Sequence, residues 1–205
     1  MSKATSEPVH TLVIGCGALA RELLKLTREF PGVAVRCVDA GLHMRPGRIA
    51  DAVAAGIGRA RREHGPDVRL LVAYADCGTR GALDRLLAAE GVERLEGAHC
   101  YEVYAGSAAF EALQNEELGT FYLTDFLARQ FETLVIAGLG LDRHPELLPL
   151  YFGGYRRLVY LAQTDDEALT ARAAAAAERL GLAFERRATG LGDLRPAVRA
   201  LASQP

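Results

Sequence analysis

The chain has 205 residues, half of them apolar, and a formal net charge of −2. That length fits a single α/β domain over residues 9–205, preceded by a short polar tail over 1–8 that is expected to be disordered. The balanced charge leaves no electrostatic footprint for nucleic acid or an anionic membrane. The tail has no targeting signature, and the apolar runs are too short to span a bilayer, so a cytoplasmic location is expected.

Apolar periodicity divides the chain into short Val-, Ile- and Leu-rich strands and longer amphipathic helices. The pattern predicts a strand at His10–Gly15 and a helix at Ala18–Glu29. A strand follows at Val33–Val38, then a loop at Ala40–Gly47 and a helix at Ile49–His64. Val68–Ala75 is a strand and Gly81–Ala89 a helix. Arg94–His99 is a short strand. Ala108–Gln114 and Thr120–Phe131 read as helical, and Thr133–Gly138 as a strand. Arg157–Leu161 is another strand, Asp166–Leu180 an Ala-rich helix, and Ala183–Arg187 a last strand. Alternation of this kind predicts a mainly parallel, Rossmann-like sheet with helices on both faces. Ligands of such sheets bind beyond the carboxyl ends of the strands, where strand order reverses.

Four cysteines in such a chain are reduced thiols by default. Cys16 and Cys77 share one setting: each follows a strand, precedes a glycine (Gly17, Gly78) and begins a helix. A helix amino end favours thiolate over thiol, and the glycine lets a ligand approach the backbone. Cys100 lies near another strand end, beside His99 and two residues before Glu102. Cys37, inside the second strand, reads as core filler.

Three thiols on three strand ends are a candidate metal set. Cys16, Cys77 and Cys100 would hold zinc with one open position, and His43 is a candidate to supply or replace a ligand. A [4Fe-4S] cluster on three cysteines is the alternative, and would make the protein a lyase or a desulfurising enzyme. His99 and Glu102 are candidates for general base or ligand-orienting group. Simple burial of each cysteine as a small apolar side chain is the competing reading. Gly138–Glu146 (GLGLDRHPE) lacks the third glycine of a dinucleotide fingerprint. Arg143 and His144 within it are instead expected to hold an anionic part of a substrate or cofactor.

Two resemblances bear on these residues. Ala73–Leu83 (AYADCGTRGAL) is similar to the second zinc segment of the β-class carbonic anhydrases. Tyr74 stands at that family's His position, and its first metal segment is absent after Cys16, so its activity is not carried over. Over nearly the whole chain, the segments CGALAREL, YADCGTRGAL, AHCYE, GTFYLTDFL, GLGLDRHPEL and YRRLVYLAQTDD together resemble the bacterial and archaeal family catalogued as domain of unknown function 1638. The resemblance implies a link to corrinoid-dependent methyl transfer and supplies no residue roles. The resulting expectation is a metal–thiolate enzyme of one-carbon metabolism that acts on a small molecule with a separate corrinoid protein. A non-catalytic metal-delivery or methyltransferase-accessory protein is the alternative. The apolar stretch around Tyr151 is compatible with a homodimer.

Overall fold

The computed structural model describes residues 11–30 and 32–203. The expected tail over 1–8 lies outside the described residues, as does His10.

In chain order the elements are β1 (Thr11–Cys16), α1 (Ala20–Thr27), β2 (Val33–Val38), α2 (Ile49–His64), β3 (Arg69–Ala73), α3 (Ala82–Glu90) and β4 (Glu93–Arg94). Then come α4 (Cys100–Ala105), α5 (Ser107–Glu116), β5 (Thr120–Thr124), α6 (Asp125–Arg129), α7 (Leu148–Phe152), β6 (Arg157–Ala162), α8 (Glu167–Leu180), β7 (Ala183–Ala188) and α9 (Leu194–Ala202). The architecture is α/β, parallel and Rossmann-like. The strands expected in one sheet form two, ordered β2-β1-β3-β4 and β5-β6-β7, and every pairing is parallel. The stretch expected as one domain divides into two compact units, residues 1–103 with 193–205, and residues 104–192. Among the described residues no helix is long and apolar enough to cross a membrane.

In the first unit the pleat sends alternate β1 side chains to opposite faces. Leu12 and Ile14 pack with Val72 and Tyr74 of the β3 segment against Ile49, Val53 and Ile57 of α2 and Leu83 and Leu87 of α3. Gly15 points the other way. A Cβ there would stand 2.3 Å from Leu23 Cδ1, so glycine is what lets α1 lie this close to the sheet. The chain moves from β1 to β2 on one side, then crosses β1 to reach β3 on the other. Strand order therefore reverses between β1 and β3, and the crevice there opens at the carboxyl ends of both.

The second unit corrects two sequence expectations. Thr120–Thr124, expected as part of a helix, is β5, the aromatic and β-branched residues of TFYLT being suited to a half-buried strand. The strand stops where the Thr124 hydroxyl accepts the Leu127 amide and caps α6. Thr133–Gly138, expected as a strand, is π-helical through Ala137, in a segment spanning Phe131–Ala137 that Gly138 terminates. Phe131, Val135 and Ile136 enter the core with Leu158 and Tyr160 of β6 and Leu169, Ala173 and Ala177 of α8. A short apolar run has the same composition in a buried strand and in a buried helix, and packing decides between them. Of the two aspartates that precede α8, the first, Asp165, is not its cap. Asp166 caps the helix, accepting the Leu169 amide, while Asp165 pairs with Arg186.

Candidate functional site

Cys16, Cys77 and Cys100 gather at one edge of the first unit. Cys16 is the last residue of β1. Cys77 follows the end of β3, and Cys100 opens α4 beyond β4. Two backbone bonds extend the pairing past β3 and β4, from the Asp76 amide to the Gly97 carbonyl (3.0 Å) and from the Cys77 amide to the Ala98 carbonyl (2.8 Å). These bonds bring the Cys77 and Cys100 loops side by side. Asp76 tightens its own loop, accepting the Thr79 hydroxyl at 2.7 Å and the Gly78 and Gly81 amides. Within that loop Cys77 has a φ of 48°. A left-handed backbone at a non-glycine residue is strained and persists only when its surroundings enforce it.

The three sulfurs sense one another. Burial pushes the Cys77 thiol up to about 11, and the charge of Cys16 adds to the effect, while the Cys100 amide opposes it. Cys100 is raised by burial and then by the charges of Cys77 and Cys16. Burial also raises Cys16, against a hydrogen bond from Tyr74 and another from the Ala18 amide. The thiolate expected from helix amino ends is thus not the resting state. Amides do face the sulfurs, but desolvation and mutual repulsion outweigh them, and all three rest as thiols.

Tyr74 completes this corner. It is 2 % exposed, and its buried hydroxyl makes no full hydrogen bond to any described group. It is directed at the Cys16 sulfur, the one group with which it interacts as a donor. The hydroxyl is a buried polar atom left short of a partner, and a sequence reading that stopped at the cysteines missed it. The signal was the Tyr standing three residues before Cys77.

The other expected residues of this unit divide. Packing around His43 and the charge of His99 both lower the His43 pKa, so these two imidazoles are neighbours, and both are exposed. Glu102 Oε2 accepts the Ala98 amide at 2.8 Å and so closes the Cys100 loop. Gly17 was expected to admit a ligand. A Cβ there would instead stand 2.8 Å from the Val38 carbonyl oxygen and 2.9 Å from the Ala40 nitrogen, so it serves chain packing. Gly78 has a φ of 80° and faces Pro46. Cys37, expected in the core, is exposed near the end of β2. Among the described residues no three His, Cys, Asp or Glu side chains stand in a group that could hold a metal ion.

Residues 37–198 match a family described as protein of unknown function (DUF1638). The chain belongs to that family. No curated protein and no solved structure matches it.

In this DUF1638 chain Gly138, Arg143 and His144 lie in the second unit, whereas the thiols lie in the first. Gly138–Glu146 follows a helical segment rather than a strand, so it lacks the strand–turn–helix setting of a nucleotide loop. Arg143 and His144 are exposed and adjoin acids, with Arg143 Nε 3.8 Å from Asp142 and His144 Nδ1 3.1 Å from Glu146. Gln163 and Thr164, which follow the end of β6, are committed to Asp125. Asp125 is fully buried, and its Oδ1 accepts the Tyr160 hydroxyl at 2.7 Å and the Gln163 amide at 2.9 Å. Its Oδ2 accepts the Thr164 hydroxyl at 2.6 Å and faces Arg129 at 3.4 Å. Gln163 Oε1 in turn accepts the Asp125 amide. This network ties the ends of β5 and β6 and uses up the lone pairs that a ligand would need.

Proposed function

We propose that the chain is a metal–thiolate protein that holds zinc through Cys16, Cys77 and Cys100 and serves methyl transfer in one-carbon metabolism. One observation carries the reading: three partly buried thiols meet at a strand-order reversal, where the charge of Cys16 raises the pKa of Cys77 and the charges of both raise that of Cys100. A cation relieves that repulsion, replaces the protons and makes the cluster favourable. Among the described residues these side chains do not stand as a ligand group, so the sulfurs would have to move to share the ion.

Zinc in such a site supplies a Lewis acid that lowers the pKa of a bound thiol. The chain's own residues supply the rest. The Tyr74 hydroxyl, directed at the Cys16 sulfur, is placed to donate to it once it is charged. The Asp76 loop holds Cys77 in its strained backbone. His43 and His99 stand beside the site as candidates to accept a substrate proton. The methyl donor is assigned to a corrinoid carried by a separate protein, a choice that rests on the family resemblance.

Elemental analysis of protein purified without oxygen tests the metal. One zinc per chain supports the reading, and Cys16→Ser and Cys77→Ser then lose it while the circular dichroism spectrum stays unchanged. A brown protein with about four irons would replace zinc by a cluster. Zinc retained in full by Cys16→Ser removes that residue from the site. If the intact chain binds no metal, even with zinc supplied, the proposal is wrong.

A further inference from the structure

A second feature of the first unit lies outside the thiol cluster. The loop between β2 and α2 runs through two short 3-10 turns, Ala40–Met44 and Pro46–Arg48. With the first turn of α2 it encloses an open cavity of about 720 Å3. That volume is within the range of roughly 300–1,000 Å3 typical of small-molecule sites.

The cavity's chemistry is mixed. Arg45 and Arg48 line it, and so do Asp39 and Asp51. Among the described residues no ion pair joins these four charges to one another. Asp39 Oδ1 is occupied by the Gly41 amide at 2.9 Å, which leaves Oδ2. Helix α2 has 16 residues and begins here with no side-chain cap, so its positive end adds to the two guanidiniums. Leu42 and Met44 supply an apolar wall, and methionine adapts to varied ligand shapes.

We propose that this cavity binds a small zwitterion, with its carboxylate on Arg45 and Arg48 and its cationic group on Asp39 and Asp51. A simple anion satisfies the two arginines but meets two carboxylates, and a simple cation meets the reverse. A ligand that carries both signs pairs with all four of these exposed groups, and their opposed charges disfavour the wrong partners. The charge of Asp39 reaches Cys16 and raises its thiol, while no cysteine lines the cavity. The inference goes beyond the metal reading and does not require it.

Three probes of one chain length separate the terms: norleucine carries both charges, hexanoate lacks the amine, and pentylamine lacks the carboxylate. Each is titrated into the full chain and followed by calorimetry and by amide chemical shifts. Norleucine is expected to saturate one site, with hexanoate and pentylamine at least tenfold weaker. Arg48→Gln and Asp51→Asn should each weaken norleucine at least fivefold, with an unchanged melting temperature. Cys16→Ser should leave its affinity intact, and Arg48→Gln should leave zinc content intact, so this site and the metal site fail separately. Hexanoate binding as tightly as norleucine would make the cavity an anion site and overturn the proposal. So would equal binding of pentylamine, absence of saturable norleucine binding, or full affinity in both variants.

Discussion

The Tyr74 hydroxyl is buried against the Cys16 thiol and makes no full hydrogen bond to any described group. A buried hydroxyl without a partner costs about 1–3 kcal/mol. In metal-free protein Tyr74→Phe should therefore leave stability unchanged or raise it by about 1 kcal/mol. In zinc-loaded protein the same variant removes a donor from a charged sulfur and should speed zinc loss several-fold. Urea melts of the two forms, with zinc release to a chromogenic chelator, measure both effects.

The left-handed backbone at Cys77 leads to an opposite pair of effects. Glycine adopts this conformation freely, so Cys77→Gly relieves strain of about 1 kcal/mol. Loss of the partly buried side chain opposes that gain. Cys77→Gly should thus be at least as stable as Cys77→Ala when both are melted without metal. Both should bind no zinc. A glycine variant clearly less stable than the alanine variant contradicts the strain argument.

The raised thiols make the metal-free protein sensitive to alkali. Cys77 has an ordinary value of 9.0 and is pushed up to about 11, so the folded chain favours the protonated form. Its contribution to stability is complete below pH 9 and is lost as pH rises through about 11. Thermal melts between pH 8 and 11 should show a steeper fall for the wild type than for Cys77→Ala. Bound zinc should flatten that fall, because the sulfurs are already deprotonated.

Asp125 anchors the second unit and is unrelated to the thiols. Asp125→Asn turns one acceptor oxygen into a donor that faces existing donors, Tyr160 and Gln163 on one side or Thr164 and Arg129 on the other. The expected loss is about 2–4 kcal/mol, from a buried network left partly unsatisfied. Asn at the neighbouring exposed Asp165 should cost less than about 1 kcal/mol. Chemical denaturation of the two variants provides the comparison.

The strand and helix signals were clear wherever a continuous apolar run met a glycine turn, as at Leu12–Gly17 and Leu70–Gly78. They also placed Cys16, Cys77 and Cys100 at strand ends. The protonation of those sulfurs was not legible, because local sequence reports helix amino ends but not the depth of burial. Cys37 looked interior from its strand, yet β2 is an edge strand of its sheet and leaves it exposed.

Sequence alone determined the alternating α/β pattern, since hydrophobic periodicity and turn residues act over only a few positions. Tertiary structure decided the rest. TFYLT became a strand because it pairs with β6, and FETLVIA became helical because its apolar side chains fill the core against β6 and α8. The strands divided between two sheets, and Tyr74 met Cys16, through contacts between residues distant in sequence. Those contacts are set by packing and burial, which no local pattern encodes.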